Sequence, residues 1–440
     1  MNPPPPLTTQ REISWFFFPL LLNVQLMSVS HSIINAALAR QDDFITALAA
    51  FSVAMVLHLF IASPAYQNHT ITMAMVRGRK SLRGTVIFVL LVAFYASALL
   101  AVIAFTPVGV FVLERLLGVT GEIADGVRRV LAILVFLPFF TGFRGLFQGL
   151  VIGARRTGLV SFATGVRIIA LLVLLLLGRR WLEGAALGAA ALLGCIVVET
   201  ALMGFFAGRC RILHQGGEEK GAWEIMRFAF PLAYSSCLQQ TIPLLINAII
   251  SRLPDGALAL ASFGVIRGFL FLLAGPMRNL QQAYLTLVRT RGDYVVLTRF
   301  YRRVALGMAG LMLLTAFPLN GPVLGGIMGL EAQMRQYIAV PLAGCALFPA
   351  LYGLSNLLRG FFTGAHLTGV LGQATFVKLF FLLLCWGGIF LYQPTLPGVA
   401  LAIILLLASE LCETAYLLRR RRGLLFPGEP PCPDAAGGVR

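Results

Sequence analysis

Arg144, Arg167, Glu199, Arg267, Arg278, Lys378 and Glu413 stand inside stretches that are otherwise almost wholly apolar. An ionised side chain in such a stretch is costly to remove from water, so it must be paired or kept for binding. Guanidinium groups suit carboxylates and phosphates, because two parallel N–H donors match two oxygens in a low-dielectric surrounding. Bulky neutral partners accompany them: Asn23 and His31 in an early polar stripe, and Gln239 and Gln240 in a later one. No phosphate-binding glycine loop, His-Glu-x-x-His or paired Cys-x-x-Cys motif occurs, and the seven cysteines are scattered and odd in number. These patterns exclude an ATPase or zinc-hydrolase reading and call for no metal or cofactor. The chain is not expected to be an enzyme.

The elements that carry these residues are read from hydropathy. With 58% hydrophobic residues, 12% charged and a mean hydropathy of +0.85, the chain lies outside the range of soluble domains. Apolar runs of about 20 residues or more recur throughout, long enough for helices that cross roughly 30 Å of hydrocarbon. The runs predict twelve helices, over 13–39, 44–76, 85–114, 127–152, 157–178, 184–208, 223–250, 257–288, 299–325, 335–362, 367–391 and 396–418. The net charge of +17 comes mostly from Lys and Arg at the ends of alternate runs, such as Arg77 to Arg83, Arg155 and Arg156, Arg289 to Arg303, and Arg419 to Arg422. That is the positive-inside pattern of a multi-pass protein with both termini in the cytoplasm, here assigned to a bacterial inner membrane, and not a nucleic-acid footprint. Residues 1–12 are expected to be a disordered lead, and they lack the layout of a signal peptide.

The chain is also a duplicated object. Phe18-Pro19-Leu20 and Phe230-Pro231-Leu232 open two gapless copies in which Asn35, Arg40, Ala47-Leu48-Ala49, Pro64, Arg77 and Arg79 match Asn247, Arg252, Ala259-Leu260-Ala261, Pro276, Arg289 and Arg291. Further on, Pro138 and Gly142 match Pro349 and Gly353, Gly149 matches Gly360, and Glu199-Thr200-Ala201 matches Glu413-Thr414-Ala415. The predicted fold is an all-α polytopic membrane protein of two six-helix bundles, 13–208 and 223–418. They are joined by a cytoplasmic linker at 209–222, followed by a basic tail at 419–440. Because each copy has an even number of spans, a pseudo-two-fold axis along the membrane normal relates them and leaves a cleft between bundles.

Duplication sorts the polar residues. Features present in both copies read as structural: Asn35 with Arg40 and Asn247 with Arg252 as gate or helix-end residues, and Pro64 and Pro276 as kinks. Arg167 with Glu199 and Lys378 with Glu413 read as ion pairs within each bundle, with the carboxylates as proton carriers the competing reading. Arg144, Arg267 and Arg278 have no cation at the matching position of the other copy, which holds Ser355, Met55 and Tyr66. They are therefore the candidate cations for an asymmetric anionic solute, with Asn23, His31, Gln239 and Gln240 beside them. Arg359, near the inner end of its helix, is expected to snorkel.

Two same-orientation copies, each opening with Phe-Pro-Leu, resemble the superfamily of multidrug, lipid-linked oligosaccharide and polysaccharide exporters, the MOP superfamily. Within it, Phe18-Pro19-Leu20, the Pro64 segment and Ala365-His366-Leu367-Thr368-Gly369 resemble the progressive ankylosis (ANK) family. The resemblance implies a MATE-like, V-shaped, alternating-access exporter, acting as a monomer in contact with membrane lipid. It also implies a small anion such as citrate, pyrophosphate or a nucleotide as substrate; the lack of an ATPase motif points to a gradient of substrate or of a coupling ion, proton or sodium, as the driving force. Rival readings are a lipid-linked saccharide flippase, a multidrug or cation antiporter, and a membrane scaffold or receptor.

Overall fold

Prolines and caps decide where the apolar runs become separate helices. The computed structural model describes residues 8–422 except 39, 42, 117–120, 211–218, 251, 254, 328–329, 331 and 393–395. Most of the expected lead, linker and tail lies outside the described residues. In the first copy the order is α1 (Gln10–Leu38), α2 (Phe44–Ile61), a 3-10 turn (Ser63–Gln67), α3 (Asn68–Met75), α4 (Arg79–Phe105), α5 (Pro107–Val110) with a π turn (Phe111–Leu116), α6 (Gly121–Leu134), α7 (Leu137–Gly153), α8 (Thr157–Gly178) and α9 (Gly184–Arg209). In the second it is α10 (Ala222–Ile250), α11 (Gly256–Ala274), a 3-10 turn (Gly275–Arg278), α12 (Asn279–Leu287), α13 (Arg291–Ala316), a π turn (Asn320–Ile327), α14 (Ala332–Gly344), a 3-10 turn (Cys345–Leu347), α15 (Phe348–Gly364), α16 (Thr368–Tyr392) and α17 (Gly398–Arg421).

Among the described residues eight spans are long and apolar enough to cross a membrane, six of them single helices and two, Leu258–Leu287 and Ala332–Gly364, running through a 3-10 turn; up to eleven result if each of three bent pairs is one. The remaining one, α10, is 29 residues long. Its stripe of Tyr234, Ser235, Ser236, Gln239, Gln240 and Thr241 lowers its hydropathy. No strand occurs among the described residues. The protein is a multi-pass, all-α membrane protein.

Several expected single helices are broken. The run over 44–76 bends by 60° at the turn containing Pro64, which offers no N–H and clashes with the preceding turn. The matching turn at Pro276 divides 257–288 into α11 and α12. Pro138 and Pro349 each sit in the first turn of a new helix, dividing 127–152 and 335–362. Arg291–Ala316 and Asn320–Gly326 meet at 77° where one helix was expected.

Caps also start helices earlier than expected. Thr9 and Glu12 exchange bonds at the start of α1, the Thr9 N–H donating to Glu12 Oε2 at 2.8 Å, which begins the helix at Gln10 instead of 13. Helix α4 begins at Arg79 because the Gly78 N–H donates to Ser81 Oγ at 3.0 Å and the Lys80 N–H to Glu219 Oε2 at 2.6 Å. Glu219, expected in a flexible linker, is thus an N-terminal cap of α4. In the second copy Asp293 takes that place: the N–H groups of Thr8, Arg289 and Thr290 donate to it at 2.9, 3.1 and 3.0 Å.

The chain forms two units, Phe18–Thr241, and Met1–Phe17 with Ile242–Arg440. The core of the first includes Ile34, Phe51, Leu100, Leu131, Leu171 and Leu192. That of the second includes Ile246, Phe263, Met312, Leu342, Leu382 and Ala402. Ile34 with Ile246 and Phe51 with Phe263 are repeat partners, so both cores grow from the same positions. Lipid is as apolar as these side chains, so close packing rather than exclusion from water holds such helices together. A Cβ on Gly149 of α7 would lie 2.6 Å from the Thr72 Cβ and 2.7 Å from the His69 carbonyl oxygen. Its repeat partner Gly360 would bring one to 2.7 Å from the Tyr284 Cβ. The turns that follow also match: Arg155 (φ 59°) and His366 (φ 58°) occupy the left-handed region, and the next N–H, of Arg156 or Leu367, closes the helix end onto Val151 or Phe362.

One difference between copies lies at the opposite helix ends. Asp255 accepts bonds from the Tyr337 hydroxyl and, at 2.9 Å, from the Gly398 N–H. Burial alone would raise its pKa, but these donors outweigh it and hold the carboxyl below the usual carboxylate range. In the first copy Gly126 stands where Tyr337 would be. There Asp43, Glu122, Asp125, Arg129, Glu183 and Gly184 help line a cavity of about 320 Å³.

Two outcomes are expected in thermal unfolding of the detergent-solubilised protein. Gly149→Ala lowers stability by about 1–3 kcal/mol, because the Thr72 and His69 contacts leave no room. Gly158→Ala, with nothing within 4 Å of its Cβ, does not. Asp255→Asn is less stable than the parent at neutral pH. A depressed carboxyl contributes above its unfolded pKa of about 3.9, so the gap between the two proteins closes as pH falls through the lower folded value. A gap that widens on acidification refutes the clamp.

Candidate functional site

Each unit has a buried carboxylate at its centre. In the first, Glu199 of α9 lies 3% exposed. Arg144 of α7 donates to its Oε2 through Nη1 at 2.9 Å, and Arg167 of α8 does so at 3.3 Å. The Thr164 hydroxyl lies 2.9 Å from Glu199 Oε1 and 2.5 Å from Asn23 Oδ1. With a single proton it donates to one of them; the arrangement that satisfies all three groups has the Asn23 amide donating to Thr164 and Thr164 to Glu199. Helices α1, α7, α8 and α9 are tied by this one network.

In the second unit Glu413 of α17 is 1% exposed. Arg359 of α15 donates to its Oε1, from Nε at 2.9 Å and also from Nη2. Lys378 of α16 donates to Oε2 at 3.1 Å and also to Glu410. The Arg359 Nη2 further donates to the Thr375 hydroxyl at 3.0 Å. Thr375 is the repeat partner of Thr164, as Lys378 is of Arg167 and Glu413 of Glu199.

Two expectations need correction. Arg144, expected as a cation for the solute because it is unmatched between the copies, is paired with Glu199. Arg359, expected to snorkel, is buried and pairs with Glu413. The repeat partner of Arg144 is Ser355, and Arg359 lies four residues further on, about one turn or 5.4 Å. Both guanidinium groups nevertheless reach the matching carboxylate, because the arginine side chain is long enough to absorb one turn. The two arginines are therefore one feature shared by both copies, carried on Cα positions about one turn apart.

The copies differ in charge instead. Glu410 stands where the first copy has Ile196, so Arg359 and Lys378 face two carboxylates. Arg144 and Arg167 face one. By formal charge the second cluster is neutral and the first carries +1. The Nε atoms of Arg144 and Arg167 have no hydrogen-bond partner among the described residues, nor has either ring nitrogen of the fully buried His58.

Of the other candidates, His31 stands close enough to Arg167 to interact with it electrostatically. Arg267 and Arg278 belong to the second unit, are exposed on their helices, and form no ion pair among the described residues; the Arg267 guanidinium lies 6.0 Å from the Phe263 ring centre. His31 is exposed on α1, Gln239 half-buried and Gln240 exposed on α10. Asn35 and Arg40 are exposed, Asn247 is half-buried, and Arg252 sits over the Trp386 ring at 5.1 Å. No group of three or more metal-ligating side chains suited to an ion occurs among the described residues.

Removal of one carboxylate should cost unequally. Glu199→Gln leaves two buried cations with no acid and should lose about 3–5 kcal/mol of stability, whereas Glu410→Gln leaves Glu413 in place and should cost less. Thermal unfolding of the two variants side by side checks the order, and a larger loss for Glu410→Gln contradicts it.

Residues 2–205 match the progressive ankylosis protein (ANKH) family. No curated protein sequence matches the chain. Similar solved structures include a MOP superfamily transporter from Pyrococcus furiosus, at 15% identity over 94% of this chain and 95% of that one, with a TM-score of 0.70. A MATE protein in complex with MaD3S gives 15% identity, the same coverages and a TM-score of 0.72. The eukaryotic MATE transporter AtDTX14 gives 15% identity over 95% of this chain and 96% of that one, with a TM-score of 0.69. At such identities the likeness is one of fold. Residues 2–205 thus resemble the progressive ankylosis (ANKH) family, and the chain has the MATE transporter fold over nearly its whole length.

Proposed function

We propose that this protein is a secondary active transporter that exports a small organic or phosphate-bearing anion, such as citrate, pyrophosphate or a nucleotide, by alternating access. The observation that carries the reading is the balance of charge well inside the spans. Arg144, Arg167, Arg267, Arg278, Arg359 and Lys378 stand against Glu199, Glu410 and Glu413. Cations kept in a membrane at such cost, and in excess of their acids, favour a negatively charged solute. Arg267 and Arg278, which form no ion pair among the described residues, are the proposed solute contacts of the second unit, and Gln239, Gln240 and His31 are proposed as donors of the first. Arg144 and Asn23, already engaged with the Glu199 network, are assigned to holding it. The Pyrococcus furiosus transporter of the same fold is described as having a binding pocket of reversed polarity that suggests a different function, and an anion transporter built on this fold accords with that description.

The chain has no ATP-binding motif, so the reading includes a gradient of solute or of a coupling ion, proton or sodium, as the driving force. It includes a bacterial inner membrane as the location, and from the distribution of Lys and Arg it puts both termini on the cytoplasmic side.

Proteoliposomes loaded with citrate or pyrophosphate test the reading by counterflow. The parent protein should exchange labelled anion saturably, and Arg267→Gln with Arg278→Gln should reduce the exchange at least about tenfold, the equivalent of about 1.4 kcal/mol. Exchange that is unchanged in the double variant refutes the contacts, and export of a cationic dye without any anion exchange refutes the substrate class.

A further inference from the structure

We infer that the first unit binds one small anionic group between Arg144 and Arg167: a halide, or a single carboxylate or phosphoryl oxygen. The inference goes beyond the transport reading and does not require it, since such an anion can be a resident ion.

Three observations meet at this place. The two guanidinium groups, 7% and 2% exposed, share the single carboxylate of Glu199. Both bind the same oxygen, Oε2, while Oε1 is engaged by Thr164. Each also retains a buried Nε–H with no acceptor among the described residues. The second unit shows what balances the same arrangement: there Glu410, three residues before Glu413, brings the second negative charge to Lys378. Its repeat position is Ile196, 5% exposed in the apolar core. One negative charge is therefore supplied covalently in one copy and is missing from the chain in the other.

A buried net charge is costly, and so are buried donors without acceptors. A single negative charge corrects both. Among the described residues the other side chains beside the two arginines, Thr164, Asn23, Cys195, Tyr66 and His31, bring no negative charge, so the charge is assigned to a group from outside the chain. A bulky organic cation or a metal would add to the surplus, which excludes both as occupants.

Thermal unfolding of the full-length protein tests the inference. The purified chain is transferred to a zwitterionic buffer without added salt, and chloride, citrate and pyrophosphate are titrated in parallel, with the same titrations of Arg144→Gln as the control for ionic strength. The parent protein should gain a saturable rise of a few degrees. Ile196→Glu, which supplies the charge found at Glu410, should unfold at a higher temperature than the parent in the salt-free buffer and lose the response. Arg144→Gln removes the surplus without adding a group to the core and should also lose it, so the test stands if Ile196→Glu does not fold. Glu410→Gln, which gives the second cluster the same surplus, should gain an additional response.

Stabilisation by chloride identifies a free inorganic ion. Stabilisation by citrate or pyrophosphate alone, lost in Arg144→Gln, identifies the group as part of a larger solute. The inference is overturned if no anion raises the unfolding temperature, or if Arg144→Gln retains the whole response. A protein that transports nothing but shows the chloride response leaves the inference intact and removes only the transport reading.

Discussion

A carboxylate surrounded by hydrocarbon must meet a cation, and this constraint fixes the centre of each unit. Glu199 joins α7, α8 and α9 through Arg144 and Arg167, and Glu413 joins α15, α16 and α17 through Arg359 and Lys378. Since lipid provides no hydrophobic drive to bring helices together, ion pairs and close glycine contacts set which faces meet. Gly149 and Gly360 lie on the same helices as Arg144 and Arg359. The α7 and α15 faces that carry charge are thus tied to helices on which a side chain at the glycine would collide with its neighbour.

Once the centres are fixed, divergence between copies can occur around them. The first copy has Gly126 where the second has Tyr337, and an open cavity where the second has a hydrogen-bonded clamp. It has Ile196 where the second has Glu410. The helix starts diverge too: Glu219 caps α4, while Asp293, already part of α13, caps its own helix and receives Thr8. The exchange of Ile for Glu changes net charge inside the membrane, which makes it the difference with the strongest electrostatic consequence.

Much of this was legible in the chain before folding. Hydropathy gave the all-α membrane class, and the repeat register located the Pro64 and Pro276 segments that interrupt the second helix of each copy. It also singled out Arg167 with Glu199 and Lys378 with Glu413, which the structure places at 3.3 and 3.1 Å. Arg144 and Arg359 were misread because register compares Cα positions while ion pairs are made by side-chain ends, and a guanidinium can span a helical turn. The missed signal was present: both copies have an arginine on the helix carrying the matched Pro and Gly, one turn apart. The role of Glu410 is not legible in the sequence, since nothing there marks which of two acids one turn apart faces Lys378. Helix starts were misplaced where a polar cap, such as Thr9 with Glu12, lies outside the apolar run.

The central claim is that two copies share one buried-charge design and that the first lacks one negative charge which an anion supplies. Diffraction at the bromine absorption edge, from crystals of the parent protein grown in bromide, tests it most directly. The account predicts an anomalous peak within hydrogen-bonding distance of Arg144 and Arg167, and none beside Arg359 and Lys378. Equal peaks at both clusters, or density for neither at saturating bromide and citrate, would contradict it.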